Sequence, residues 1–182
     1  MTENEKDELI KEIFDIIKKN LLLVPILNNY EVIKNDNNDA IIFTAKAKDN
    51  SIQQFLCDGV LKEDETLDKR IEKVIKETEE KMKKNGFLNP QMDFLSTFNT
   101  KLFKFRLYLQ DMIKGDKIIR QVNAYFVEPN NNYFYEICLS APPMSLKVAN
   151  EAVMKNLITM LTIILQNIKY NDNPMGVIQK ND

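Results

Sequence analysis

The side chains able to do chemistry in this sequence are few and dispersed. Its 182 residues include no His, two Cys and four Gly. A histidine-based triad and a histidine metal site are therefore excluded, and a multi-glycine phosphate cradle nearly so. Carboxylates that could act as general acid and base gather at Asp58, Glu63, Asp64 and Glu65. They precede a helical stretch, where the helix dipole accounts for acidic residues without any catalysis. Cys57 beside Asp58 pairs a thiol with an acid, but a catalytic thiol needs a His, a Lys or a helix N-terminus to hold it as thiolate. Cys57 and Cys138 stand far apart in apolar runs, which reads as two buried free thiols rather than a redox pair or a metal knuckle. Ser140, in Leu139-Ser140-Ala141-Pro142, lacks the flanking glycines of a nucleophile elbow. The oxygen-rich run Asp36 to Asp39 lacks the glycine and the glutamate of a calcium-binding loop and reads as a turn. On these grounds the expectation is no catalytic residue, no metal site and no cofactor.

The second half of the chain carries a different signal. Residues 102–112 alternate Phe103, Phe105, Leu107 and Leu109 with Lys104, Arg106, Tyr108 and Gln110, and residues 118–127 set Ile119, Gln121, Asn123, Tyr125 and Val127 on one side. One face is a core face and the other is mixed. Arg, Tyr, Gln and Asn together suit a protein interface, so Arg106, Tyr108, Gln110, Gln121, Asn123 and Tyr125 are the expected partner-binding residues.

The elements that must position these residues are legible in the spacing. Thr2 and Glu5 form a capping box, and Ile10, Ile13, Phe14, Ile17 and Leu21 follow at helical steps, which predicts a helix over residues 4–22 ended by Pro25. Residues 30–34 and 40–47 read as a strand pair around an Asn/Asp turn, and 51–61 as a third strand disturbed at Gly59. Thr66 caps a second helix that Asn85-Gly86 stops. The mixed charges of residues 62–84 read as a solvated face laced with i,i+4 pairs. Four strand patterns at 92–98, 102–112, 117–128 and 133–141 then form an antiparallel meander, with a two-residue turn at Gly115-Asp116. Ser145 is the expected cap of a last helix whose apolar face starts at Val148 and Ala149 and runs to Ile168. The fold class is therefore α+β: an antiparallel sheet of about six strands flanked by helices, an α/β/α sandwich with an extra N-terminal helix. The expected divisions are a helical extension at 1–27, a single domain at 28–170 and a loose tail at 171–182.

Bulk composition bounds the function class. Twenty-five basic against 27 acidic residues and a pI near 5.4 give no field for phosphate, so nucleic acid is not an expected partner. The N-terminus is acidic where a secretory signal would be basic and then apolar, and the most apolar stretch, residues 157–165, is far short of the ~20 needed to span a bilayer. No membrane span and a cytoplasmic location are expected.

Three stretches together resemble a known family: Leu61-Lys62-Glu63-Asp64-Glu65-Thr66-Leu67, Ile119-Arg120-Gln121-Val122-Asn123-Ala124-Tyr125-Phe126, and Tyr133 through Pro142 with its strand-end Ser-Ala-Pro before the closing helix. In element order they look like the PsbP-like (Mog/DcrB) α/β/α sandwich over residues 30–169. The resemblance implies a non-enzymatic accessory protein, its most concrete version a cytoplasmic chaperone or adaptor for apolar helices of a secreted effector. The expected partner is then another protein or a peptide helix, with a homodimer also among the expected states. Two alternatives stand beside it. One is a type III-like secretion chaperone, against which the four-strand meander argues. The other is a small His-free hydrolase or transferase, which requires a pocket collecting several of Asp58, Glu63, Asp64, Lys104, Arg106 and Arg120.

Overall fold

The computed structural model of the chain describes residues 1–33, 39–147 and 151–176. Within them run helix α1 (Glu3–Asn20), strands β1 (Leu22–Leu23), β2 (Glu31–Ile33), β3 (Ile41–Lys46) and β4 (Ile52–Val60), and helix α2 (Leu67–Lys84). Strands β5 (Met92–Asn99), β6 (Lys104–Lys114), β7 (Lys117–Glu128), β8 (Tyr133–Ser140) and β9 (Met144–Ser145), helix α3 (Glu151–Gln166) and strand β10 (Lys169–Tyr170) complete the order. Lys34, the Asn35 to Asn38 part of the expected turn, and Val148 and Ala149 of the expected last helix lie outside the described residues.

Local chemistry places the helix and strand ends. Helices α1 and α2 each start at a threonine whose hydroxyl accepts a backbone N–H three residues on: Thr2 from Glu5, Thr66 from Lys69. Gly86, at φ +84°, ends α2 while its N–H and those of Asn85 and Phe87 satisfy the last carbonyls. Gly115 and Asp116 alone join β6 to β7, the glycine at φ +64°. At Gly59, φ +81°, the β4–β8 register shifts, a bulge at the position where the sequence showed an interruption.

The main sheet is larger than expected. It has eight strands rather than about six among the described residues, in the order β2-β3-β4-β8-β7-β6-β5, with β9 pairing the start of β7. The meander β5 to β8 is present, all antiparallel. A separate two-stranded ribbon joins β1 to β10. Ser145, expected as a helix cap, sits in β9 opposite Lys117. The two-residue strand β9 of the main sheet, like β1 and β10 of the ribbon, has no period to read.

Alternation along β7 divides the core. Val122, Ala124 and Phe126 face α3, whose Leu157, Leu161, Ile164 and Leu165 are buried with them. Tyr125 faces the other way and packs with Ile71 of α2, Phe134 and Met92. Helices therefore cover both faces, as an α/β/α layering requires. Each fully buried aliphatic or aromatic side chain contributes about 1.5–3 kcal/mol by area. The expected extension at 1–27 is tied into this core: Leu21 and Leu22 are buried, and the Tyr135 hydroxyl donates to the Lys18 carbonyl at 2.9 Å. Of the expected tail at 171–182, residues 177–182 lie outside the described residues, and at its start the Asn171 N–H donates to the Leu21 carbonyl.

Candidate functional site

Strand register brings the six expected partner-binding residues together on the α2 face of the sheet. Across β6 and β7, Arg106 stands opposite Tyr125, Tyr108 opposite Asn123 and Gln110 opposite Gln121. As an open partner surface, however, the set does not hold. Gln110, Asn123 and Tyr125 are buried, because α2, crossing from β4 to β5, lies on this face. Tyr125 stacks on Phe134 at 5.9 Å and meets Tyr108 edge-on at 5.7 Å, while the Gln110 amide donates to the Pro90 carbonyl at 2.8 Å. Arg106 is partly exposed and reaches Asp68 of α2 at 3.5 Å. Gln121 is partly exposed and begins a chain of hydrogen bonds: its amide donates to Asn123 at 3.0 Å, and the Asn123 amide donates to the Glu136 carboxylate at 2.6 Å.

That chain ends at the floor of a groove. The helix covers only part of the face, and beside it an open groove of about 500 Å³ is lined by Leu56, Asp58 and Glu136 from the sheet and by Arg70, Lys73, Val74, Glu77, Thr78 and Lys81 from α2. Register explains the floor: Leu56 of β4 and Tyr125 of β7 flank Glu136 of β8 directly. Helical spacing explains the wall, since residues 70, 73, 74, 77, 78 and 81 recur at steps of three and four.

Electrostatics mark Glu136 as the unusual group. Burial pushes its carboxyl up to about 7 from 4.5, opposed by the Asn123 hydrogen bond and reinforced by the nearby Asp58 charge. Asp58 is itself raised, by burial first, with Arg70 pulling the other way. Arg70 is a structural tie. Its guanidinium donates to the Asp58 and Val60 carbonyls at 2.9 and 2.8 Å, pairs with Glu65 at 2.6 Å and lies over the Phe134 ring at 5.6 Å. Glu65 is held down to about 2, chiefly by that Arg70 hydrogen bond. The expected i,i+4 ladder along α2 does not form. Among the described residues its ion pairs run outward instead, Asp68 to Arg106 and Arg70 to Glu65.

The pocket required by the hydrolase alternative forms only in part. Of its six expected residues, Asp58 alone lines the groove. Arg106 is engaged with Asp68 and Arg120 with Asp111 at 3.2 Å, while Glu63, Asp64 and Lys104 are exposed. Both thiols are buried, with burial pushing Cys57 up to about 11 and Cys138 well above the ordinary thiol range. The groove nevertheless gathers six ionisable groups, of which sequence reasoning singled out only Asp58. A signal for Glu136 was present: it is the one charged residue in the strand Tyr133–Ser140.

No family model and no curated protein matches the sequence. Among solved structures, the chain is similar in fold to LpqN of Mycobacterium tuberculosis, described as involved in cell envelope biogenesis. The identity is 11%, the TM-score 0.51, and the likeness covers 82% of this chain and 83% of LpqN.

Proposed function

We propose that this protein is a non-catalytic adaptor or chaperone that holds a helical segment of another protein in the groove between α2 and the sheet. The makeup of the groove carries the reading. Lys73, Glu77 and Lys81 alternate in sign along the helix wall at four-residue steps, with Val74 among them and Leu56 on the floor as apolar contacts. An amphipathic helix with the opposite charge sequence would meet both features in helix-in-groove fashion, with charge order setting its register. The lining holds no thiol, and its one hydroxyl, Thr78, already donates to the Val74 carbonyl at 2.8 Å. A PsbP-like accessory role in the cytoplasm belongs to the same reading, and the LpqN likeness supports the fold alone.

The test is capture from the native host by the wild-type chain and by a Lys73→Glu/Lys81→Glu variant of unchanged circular dichroism. A discrete polypeptide retained by the first and lost by the second is expected. Identical captured sets would refute the groove.

One observation favours a second reading, a hydrolase or transferase without histidine. A carboxyl held near 7 beside a second raised carboxyl, Asp58, suits general acid–base work at neutral pH. That reading requires turnover that disappears in Glu136→Gln, whereas an adaptor keeps capturing its partner in that variant.

A further inference from the structure

Among the described residues, helix α1 is anchored at its end. Ile17 packs against the core, the Lys18 carbonyl takes the Tyr135 hydroxyl, and Leu21 and Leu22 enter the core beyond it. No residue of α1 itself is buried. Its earlier turns carry an apolar stripe that the other described residues leave exposed, with Leu9, Ile10 and Phe14 at 45%, 51% and 58%. A stripe at helical spacing without a partner is the pattern of a docking helix. Its flanks are acidic: Glu3, Glu5, Asp7, Glu8 and Glu12 against Lys6 and Lys11. Pairing two such helices side by side would set acid against acid.

The complementary surface lies on the same chain. Beyond α1, a groove of about 470 Å³ is floored by Leu22, Val24, Ile42, Phe43 and Phe55, with Leu23 and Ile26 partly open to solvent. The charged residues lining it are Lys19 and Lys169, both exposed and both cationic. An acidic-rimmed apolar helix thus faces a basic-rimmed apolar groove, and the two adjoin in sequence at Lys19.

From this we infer that the groove receives α1 of a second copy of the chain, reciprocally, in a two-fold dimer. Helix and groove meet at residues 19–23, so a two-fold axis near the end of α1 places each helix in the other's groove. That arrangement is closed rather than filament-forming. Leu56 alternates with Phe55 along β4, so the α2 groove lies on the other face of the sheet and stays free in the dimer. The inference does not depend on the adaptor reading.

Sedimentation equilibrium of the full chain at micromolar concentration tests it, and twice the chain mass is expected. Phe14→Lys, at a site too exposed to disturb folding, should weaken association about tenfold or more. Glu8→Lys/Glu12→Lys and Lys19→Glu/Lys169→Glu should each give monomers, while mixing the two restores the dimer, since every helix then meets a groove of opposite charge. Circular dichroism establishes that each variant is folded. A monomeric wild type, a dimer indifferent to Lys19 and Lys169, or a mixture that stays monomeric would each overturn the inference.

Discussion

Replacing Glu136 with Gln isolates a buried carboxyl whose ionisation the fold opposes. In the folded chain it titrates near 7 rather than 4.5, chiefly because burial penalises the charged form. Between those two values the folded state keeps a proton that the unfolded state has released. Stability must therefore fall as pH rises through this window, and level off below and above it. At about 1.4 kcal/mol per pH unit, with the groove side open to water, the loss amounts to about 2 to 3 kcal/mol. Gln has no such titration, and its side-chain oxygen can still accept the Asn123 amide proton that Glu136 accepts at 2.6 Å. Urea unfolding of both proteins at pH 4, 5, 6, 7 and 8 reads the difference, because titrating groups not coupled to Glu136 cancel. The two should be of similar stability at pH 4, with the variant pulling ahead toward pH 8. A difference constant over this range would show that Glu136 is solvated, and the account of the groove floor would fail.

Other consequences are as direct. Arg70→Ala removes the hydrogen bonds to the Asp58 and Val60 carbonyls that join α2 to the end of β4, and should cost about 2 kcal/mol in urea unfolding; an unchanged midpoint would show the tie to be idle. Gly59→Ala should cost about 1 kcal/mol although a Cβ there meets nothing within 4 Å, since the penalty comes from φ +81° alone. A fully stable Ala variant would contradict the bulge geometry. With both thiols buried and Cys57 pushed up to about 11, Ellman's reagent at pH 8 should react only as fast as the chain unfolds. Rapid labelling of the native protein would place a thiol at the surface.

Much of the architecture was legible because it is decided within a few residues. The threonine caps at Thr2 and Thr66, the Gly115-Asp116 turn and the Gly59 bulge each follow from local backbone chemistry. Alternation placed Arg106, Tyr108, Gln110, Gln121, Asn123 and Tyr125 on one face before any strand had a neighbour, and the β6–β7 register pairs them in that way. What lies against that face was not legible. The charges of residues 62–84 read as one solvated helix face, and nothing in the spacing said that the helix buries Tyr125 and makes a groove wall opposite Glu136, about sixty residues further along the chain. The two-residue strands β1, β9 and β10 likewise exist only because remote segments come to lie beside them. Which side chains share a face follows from chain geometry alone, with period two or 3.6. Which of them are covered depends on where distant elements settle, and that is a property of the packed whole.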